Sequence, residues 1–164
     1  VIESTWSTVE ISSMVLFLGM AANVYGAVFS RLGASDMVIK ALIGLPLPPI
    51  GVIILLMVFI FLLGWPLEWP AIVFIFMPMF LPVVTKLGFD PLWFCILVAV
   101  NLQTAFLSPP VALAAYYLKG VAPSLELWDI YVGMMQFMCL QLLGLVIIFL
   151  FPQIILWLPK WLFG

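Results

Sequence analysis

The segment from Leu92 to Leu118 is long and apolar enough to cross a bilayer, yet Ser108-Pro109-Pro110 sits near its centre. Proline has no backbone N–H to donate, and it disfavours helical geometry in the residue before it. The carbonyls of about Thr104 to Phe106 are therefore expected to lose their usual donors. In hydrocarbon an unsatisfied backbone group is costly, so such a break is tolerated only beside protein or a wet cavity. The break also creates two helix ends. The upstream half ends in carbonyls, which attract a cation. The downstream half starts at the prolines with the positive end of its dipole towards the gap, where an anionic group is stabilised.

Composition fixes the surroundings of this break. Of 164 residues, 67% are hydrophobic and 7% are charged. A soluble domain carries roughly 25% charged residues, so this chain cannot cover a water-facing surface and reads as an integral membrane protein. The net charge of −2 gives no reason to expect nucleic-acid binding. There is no histidine, and Cys95 and Cys139 both fall in apolar runs, where they read as small buried residues rather than a disulfide or zinc site. Glu68 is the acid placed to lie deep, and no span offers it a partner carboxylate. With no nucleophile–base pair visible, an enzyme is not expected. The chain opens Val-Ile-Glu, without a Met, and the expectation is that an N-terminal part is missing.

Along the chain, Ile11 to Ser30 is a first span of the length a bilayer core needs. Its Ala22 and Gly26 form a small-residue pair suited to helix packing. Ser35 to Leu45 reads as a short interfacial helix, with Ser35 as N-cap and Asp36 four residues before Lys40. Two apolar arms follow, Ile50 to Leu63 and Pro70 to Leu87, joined by Gly64-Trp65-Pro66-Leu67-Glu68-Trp69. The residues alone allow either a re-entrant hairpin, 50–87, or two tilted spans with Trp65 and Trp69 in an aromatic belt. After the broken segment 92–118, Ser124 is placed to cap a last helix. That final segment is taken as 130–158, clearest from Ile130 to Phe151.

Asn101, Gln103, Thr104 and Ser108 add hydroxyl and amide oxygens beside the break. Oxygen-only donors suit a hard cation such as sodium, and paired helix ends at mid-membrane are the ion-plus-substrate device of secondary transporters. The plainer alternative is a proline kink whose polar residues satisfy neighbouring helices. Two adjacent prolines with four such side chains close by favour a site.

Three stretches carry a resemblance: LGFDPLWF (Leu87 to Phe94), NLQTAFLSPP (Asn101 to Pro110) and FPQIILWLP (Phe151 to Pro159). In this order and at these spacings the sequence resembles the C-terminal part of the large membrane subunit of the tripartite ATP-independent periplasmic (TRAP) transporters. The resemblance implies an all-α integral membrane protein, the second inverted repeat of an elevator-type transporter. On that template 11–30 is scaffold, 35–45 the arm helix, 50–87 the re-entrant hairpin and 92–118 the broken helix. It implies sodium-coupled uptake of an organic acid, with no cofactor beyond the coupling ion. It also implies a small membrane subunit and a periplasmic binding protein as partners, in the inner membrane of a bacterium or archaeon.

The same resemblance brings the hairpin tip against the break. Asn101, Thr104, Ser108 and Gly64 are then the expected sodium site. Ser108, Pro109, Pro110, Gln103, Trp65 and Glu68 are the expected substrate region. Two departures stand out. The family tip usually reads Gly, three hydrophobic residues, Asp, whereas here it is Gly64-Trp-Pro-Leu-Glu68. The family break usually contains a glycine and reads Thr-Pro-Pro, whereas here Ala105 and Ser108 stand in. Arg31, Lys40, Lys86 and Lys160 lie on one side and Lys119 on the other, which by basic count would place the four in the cytoplasm; the template places them outside and is preferred. The competing function is a non-transporting membrane scaffold or assembly subunit, which would tolerate leucines at Pro109 and Pro110.

Overall fold

The computed structural model describes residues 2–67, 69–108 and 112–163. Glu68, Pro109 and Pro110, three of the expected site residues, lie outside them. The described residues are helical and contain no strand. The helices are α1 (Ile2–Arg31), α2 (Ala34–Ile43), α3 (Pro49–Leu63) and α4 (Trp69–Lys86), then α5 (Pro91–Leu102) with a 3-10 turn at Gln103–Phe106. They continue as α6 (Leu113–Val121), α7 (Leu127–Leu150) and α8 (Gln153–Phe163). Among the described residues, three stretches are long and apolar enough to cross a membrane: Thr5–Val28, Trp69–Lys86 and Leu127–Leu150.

Several boundaries differ from those read in the sequence. α1 continues through the polar residues before Ile11. α2 starts at Ala34, so Ser35 is not its N-cap; Gly33 holds that position at φ 71°, a left-handed turn open to glycine. Asp36 reaches across to Lys86 on α4, 3.8 Å away. α7 starts at Leu127 with Glu126 as its N-cap, not Ser124. The reason lies in the preceding loop, where the Lys119 ammonium donates to the carbonyls of Pro123 (2.9 Å) and Leu125 and delays the helix. The final segment is two helices with Phe151 non-helical between them, because Pro152 has no N–H with which to continue α7. Cys95 is half-buried, and Cys139 is exposed on α7 rather than buried.

The core forms where α3, α4, α5, α7 and α8 converge. Ile53, Ile60, Ile72, Val84, Phe94 and Leu97 are fully buried there. Its aromatic girdle is centred on Trp93, whose ring lies 5.6 Å from Phe89 and 5.4 Å from Phe149 and whose indole N–H donates to the Ile148 carbonyl. α1 stands outside this core, packed along α4 through Gly19 against Phe74 and Gly26 against Pro78. A second, smaller cluster joins α6 to α7 through Ala112, Ala115, Ile130 and Met134. The broken helix thus has one half in each cluster.

Candidate functional site

Asp90 starts the path to the site. Its carboxylate accepts from the backbone N–H groups of Leu92 (2.8 Å) and Trp93 (3.4 Å), and Pro91 takes the first helical position. α5 then runs into the core and brings Asn101 to 1% exposure. The amide nitrogen of Asn101 donates to the Met57 carbonyl in the middle of α3 (2.8 Å). Its oxygen Oδ1 is buried and has no hydrogen-bond partner among the described residues. A buried polar atom without a partner is costly, so this oxygen marks a place where a donor or a cation fits.

Thr104 and Ser108, three and seven residues further on, are also buried, at 2% and 0% exposure. The Thr104 hydroxyl donates to the Asn101 carbonyl (2.6 Å) and the Ser108 hydroxyl to the Ala105 carbonyl (3.4 Å). Each hydroxyl thereby spends its proton on the backbone and keeps oxygen lone pairs free. The 3-10 turn also corrects an expectation. The Thr104 carbonyl accepts from the Leu107 N–H (3.0 Å), and Ala105 from Ser108, so these two carbonyls keep local donors. Tightening of the last turn lets the helix end without losing them.

Gly64 ends α3 and is buried against this turn. A Cβ placed on it would lie 3.3 Å from the Ala105 Cβ and 3.3 Å from the Phe61 carbonyl. The tip of the α3–α4 hairpin therefore meets the break at Ala105 with no room to spare. Trp65, the next residue, is half-exposed, its ring edge-on to Phe61 at 6.0 Å. Gln103 does not join Asn101, Thr104 and Ser108. It is exposed and lines a cavity of about 450 Å³ together with Trp69, Val73, Ala99, Leu102 and Phe106. Of the expected polar residues that are described, Asn101, Thr104 and Ser108 are thus buried, and Gln103 faces an open cavity. Phe106 was not among the expected site residues; its place beside Trp69 and Gln103 depends on the hairpin folding back onto α5.

Among the described residues no three His, Cys, Asp or Glu side chains come together as a metal site. The oxygens of the cluster are amide, hydroxyl and carbonyl, a neutral set suited to a weakly held monovalent cation rather than a transition metal.

Comparison with known proteins agrees with this architecture. Residues 1–154 match the family described as tripartite ATP-independent periplasmic transporter, DctM component. The isethionate TRAP transporter permease protein DctMQ of Oleidesulfovibrio alaskensis is 32% identical over 111 residues, covering 68% of this chain and 18% of that protein. The sialic acid TRAP transporter large permease protein SiaM of Vibrio cholerae is 24% identical over 163 residues, 99% of this chain and 38% of that one. The C4-dicarboxylate TRAP transporter large permease protein DctM of the same organism is 24% identical over 155 residues, 94% of this chain and 34% of its own length. The chain therefore spans less than two-fifths of the length of these relatives. No solved structure gives a significant match. These relatives are transporter permeases and not enzymes. A family match over nearly the whole chain, on a helical fold with three stretches able to cross a membrane, makes this a membrane protein of the DctM component family of tripartite ATP-independent periplasmic transporters.

Proposed function

We propose that this chain forms the ion-binding half of a large permease that takes up an organic acid with sodium, handed over by a periplasmic binding protein. A small membrane subunit completes the complex, which sits in the inner membrane of a bacterium or archaeon. The observation that carries this reading is the Oδ1 of Asn101, buried and without a hydrogen-bond partner among the described residues. Sodium is held there by the Asn101 amide oxygen and by the lone pairs that Thr104 and Ser108 keep free, with Gly64 closing the tip over them.

The hairpin is re-entrant in this reading. α3 has 15 residues, about 22 Å at 1.5 Å per residue, against a hydrocarbon core of about 30 Å. The tip would then stop at mid-membrane, where it meets the break. Movement of hairpin and broken helix together against α1 and α2 provides alternating access of the elevator type. The test is sodium-dependent uptake by the assembled permease in proteoliposomes. Asn101→Ala and Ser108→Ala each raise the sodium concentration needed for half-maximal uptake by about tenfold, the loss of one coordinating oxygen or its charge-assisted contact. Wild-type sodium affinity in both variants would count against the site.

A further inference from the structure

The cavity beside the break has a composition that narrows what it binds. Its walls are Trp69 and Val73 from α4 and Ala99, Leu102 and Phe106 from α5 and the 3-10 turn. Its volume of about 450 Å³ falls within the range of small-molecule sites, about 300–1,000 Å³. Among the described residues no charged side chain lines it, and Gln103 supplies the one side-chain amide. That amide makes no hydrogen bond to another described residue, although it sits in an otherwise apolar wall. Trp69 also opens α4, so the positive end of that helix dipole lies at the rim.

These features fit a ligand with one anionic end and an apolar body. A carboxylate at the rim meets the first turn of α4 and the Gln103 amide N–H. A second carboxylate deeper in would press against Val73, Leu102 and Phe106 with no cation to pair it, and burying an unpaired charge is prohibitive. An aryl or branched-alkyl body instead gains apolar burial and an aromatic contact with Trp69 and Phe106. We propose that this cavity binds a monocarboxylate with an aryl or branched-alkyl body, held by Trp69 and Phe106 and oriented by Gln103. The proposal rests on the transport reading for the acid's role as cargo. It departs from what the C4-dicarboxylate relative's name describes.

The test uses the assembled permease in lipid nanodiscs, with 3-phenylpropanoate and succinate as probes, and reads binding by titration calorimetry and sodium-driven uptake in proteoliposomes. The expected result is that 3-phenylpropanoate binds in preference to succinate. Its affinity falls about tenfold in Trp69→Ala and in Gln103→Leu, from lost apolar contact and a lost hydrogen bond, and survives in Trp69→Phe. Gln103→Leu keeps the side chain's size at an exposed position, so it reports even where Trp69→Ala fails to assemble. Succinate bound more tightly than 3-phenylpropanoate, or 3-phenylpropanoate affinity unchanged in both variants, overturns the proposal. Sodium-driven succinate uptake in that same case leaves the transport reading standing. Binding of 3-phenylpropanoate that needs Trp69 and Gln103, in a complex that takes up no acid, upholds the cavity and removes the transport reading.

Discussion

Asn101 carries an amide into closely packed apolar surroundings and satisfies only half of it. The bond from its nitrogen to the Met57 carbonyl is worth about 0.5–1.5 kcal/mol net, whereas a buried acceptor left without a partner costs about 1–3 kcal/mol. Without a cation the residue is therefore a net liability of about 1 kcal/mol, and with one it is not. Asn101→Leu should then leave the melting temperature of the sodium-free permease unchanged or slightly raised; in the transport reading sodium raises that of the parent, and the variant should lose this rise. A sodium-induced rise of parental size in the variant would remove Asn101 from the site. Much of this cluster was legible in the sequence. Asn101, Thr104 and Ser108 stand at i, i+3 and i+7, one face of a helix, while Gln103 at i+2 points elsewhere. Grouping all four by proximity to the prolines overlooked that rotation. The unpartnered state of Oδ1 was not legible, because it depends on which atoms of α3 reach it from 44 residues away.

Helix starts are decided by small numbers of backbone groups, and here they divide by how local those groups are. Asp90 followed by Pro91 is a local signal, and the structure uses it: the carboxylate caps two N–H groups of α5. Asp90→Ala removes that cap and should cost about 1 kcal/mol of stability. Because α5 carries Asn101 and the 3-10 turn, the variant should also bind sodium less tightly, while Asp90→Asn keeps most of both. Calorimetric melting of the three proteins with and without sodium checks this; equal stability of Asp90→Ala and parent would mean the cap contributes nothing. Ser35 and Ser124 carry the same local signal and are not used. At Ser35 the left-handed Gly33 has already turned the chain into α2. At Ser124 a lysine five residues upstream holds the loop carbonyls and postpones α7 to Leu127. The 3-10 ending of α5 was hidden for a related reason: prolines announce that donors are missing, but not that a Leu107 N–H and a Ser108 hydroxyl stand in for them.

Across the whole molecule, glycines mark two kinds of contact between helices, and the difference in their clearance predicts opposite responses to one substitution. α1 meets α4 loosely. A Cβ on Gly26 would lie 3.8 Å from the Pro78 Cβ, an ordinary contact, beside a groove of about 450 Å³ that also borders Asn23 and Met77. The tip of the α3–α4 hairpin meets the break tightly, with the corresponding distance at Gly64 only 3.3 Å to Ala105. Gly26→Ala should therefore gain close to the full helix-propensity difference, about 1 kcal/mol, and raise the melting temperature. Gly64→Ala forces Ala105 or the end of α3 to shift, and overpacking of this kind costs about 1–3 kcal/mol. In the transport reading the second change also holds the tip away from Asn101, Thr104 and Ser108, so sodium affinity falls with stability, whereas Gly26→Ala leaves sodium affinity at its parental value. Gly64→Val extends the same clash and should stop uptake while the protein still inserts. Melting temperature and sodium titration of the two alanine variants, side by side in the assembled permease, decide the matter. Destabilisation by Gly26→Ala would mean that α1 packs on α4 more closely than their separation implies, and an unaltered sodium affinity in Gly64→Ala would separate the hairpin tip from the ion site.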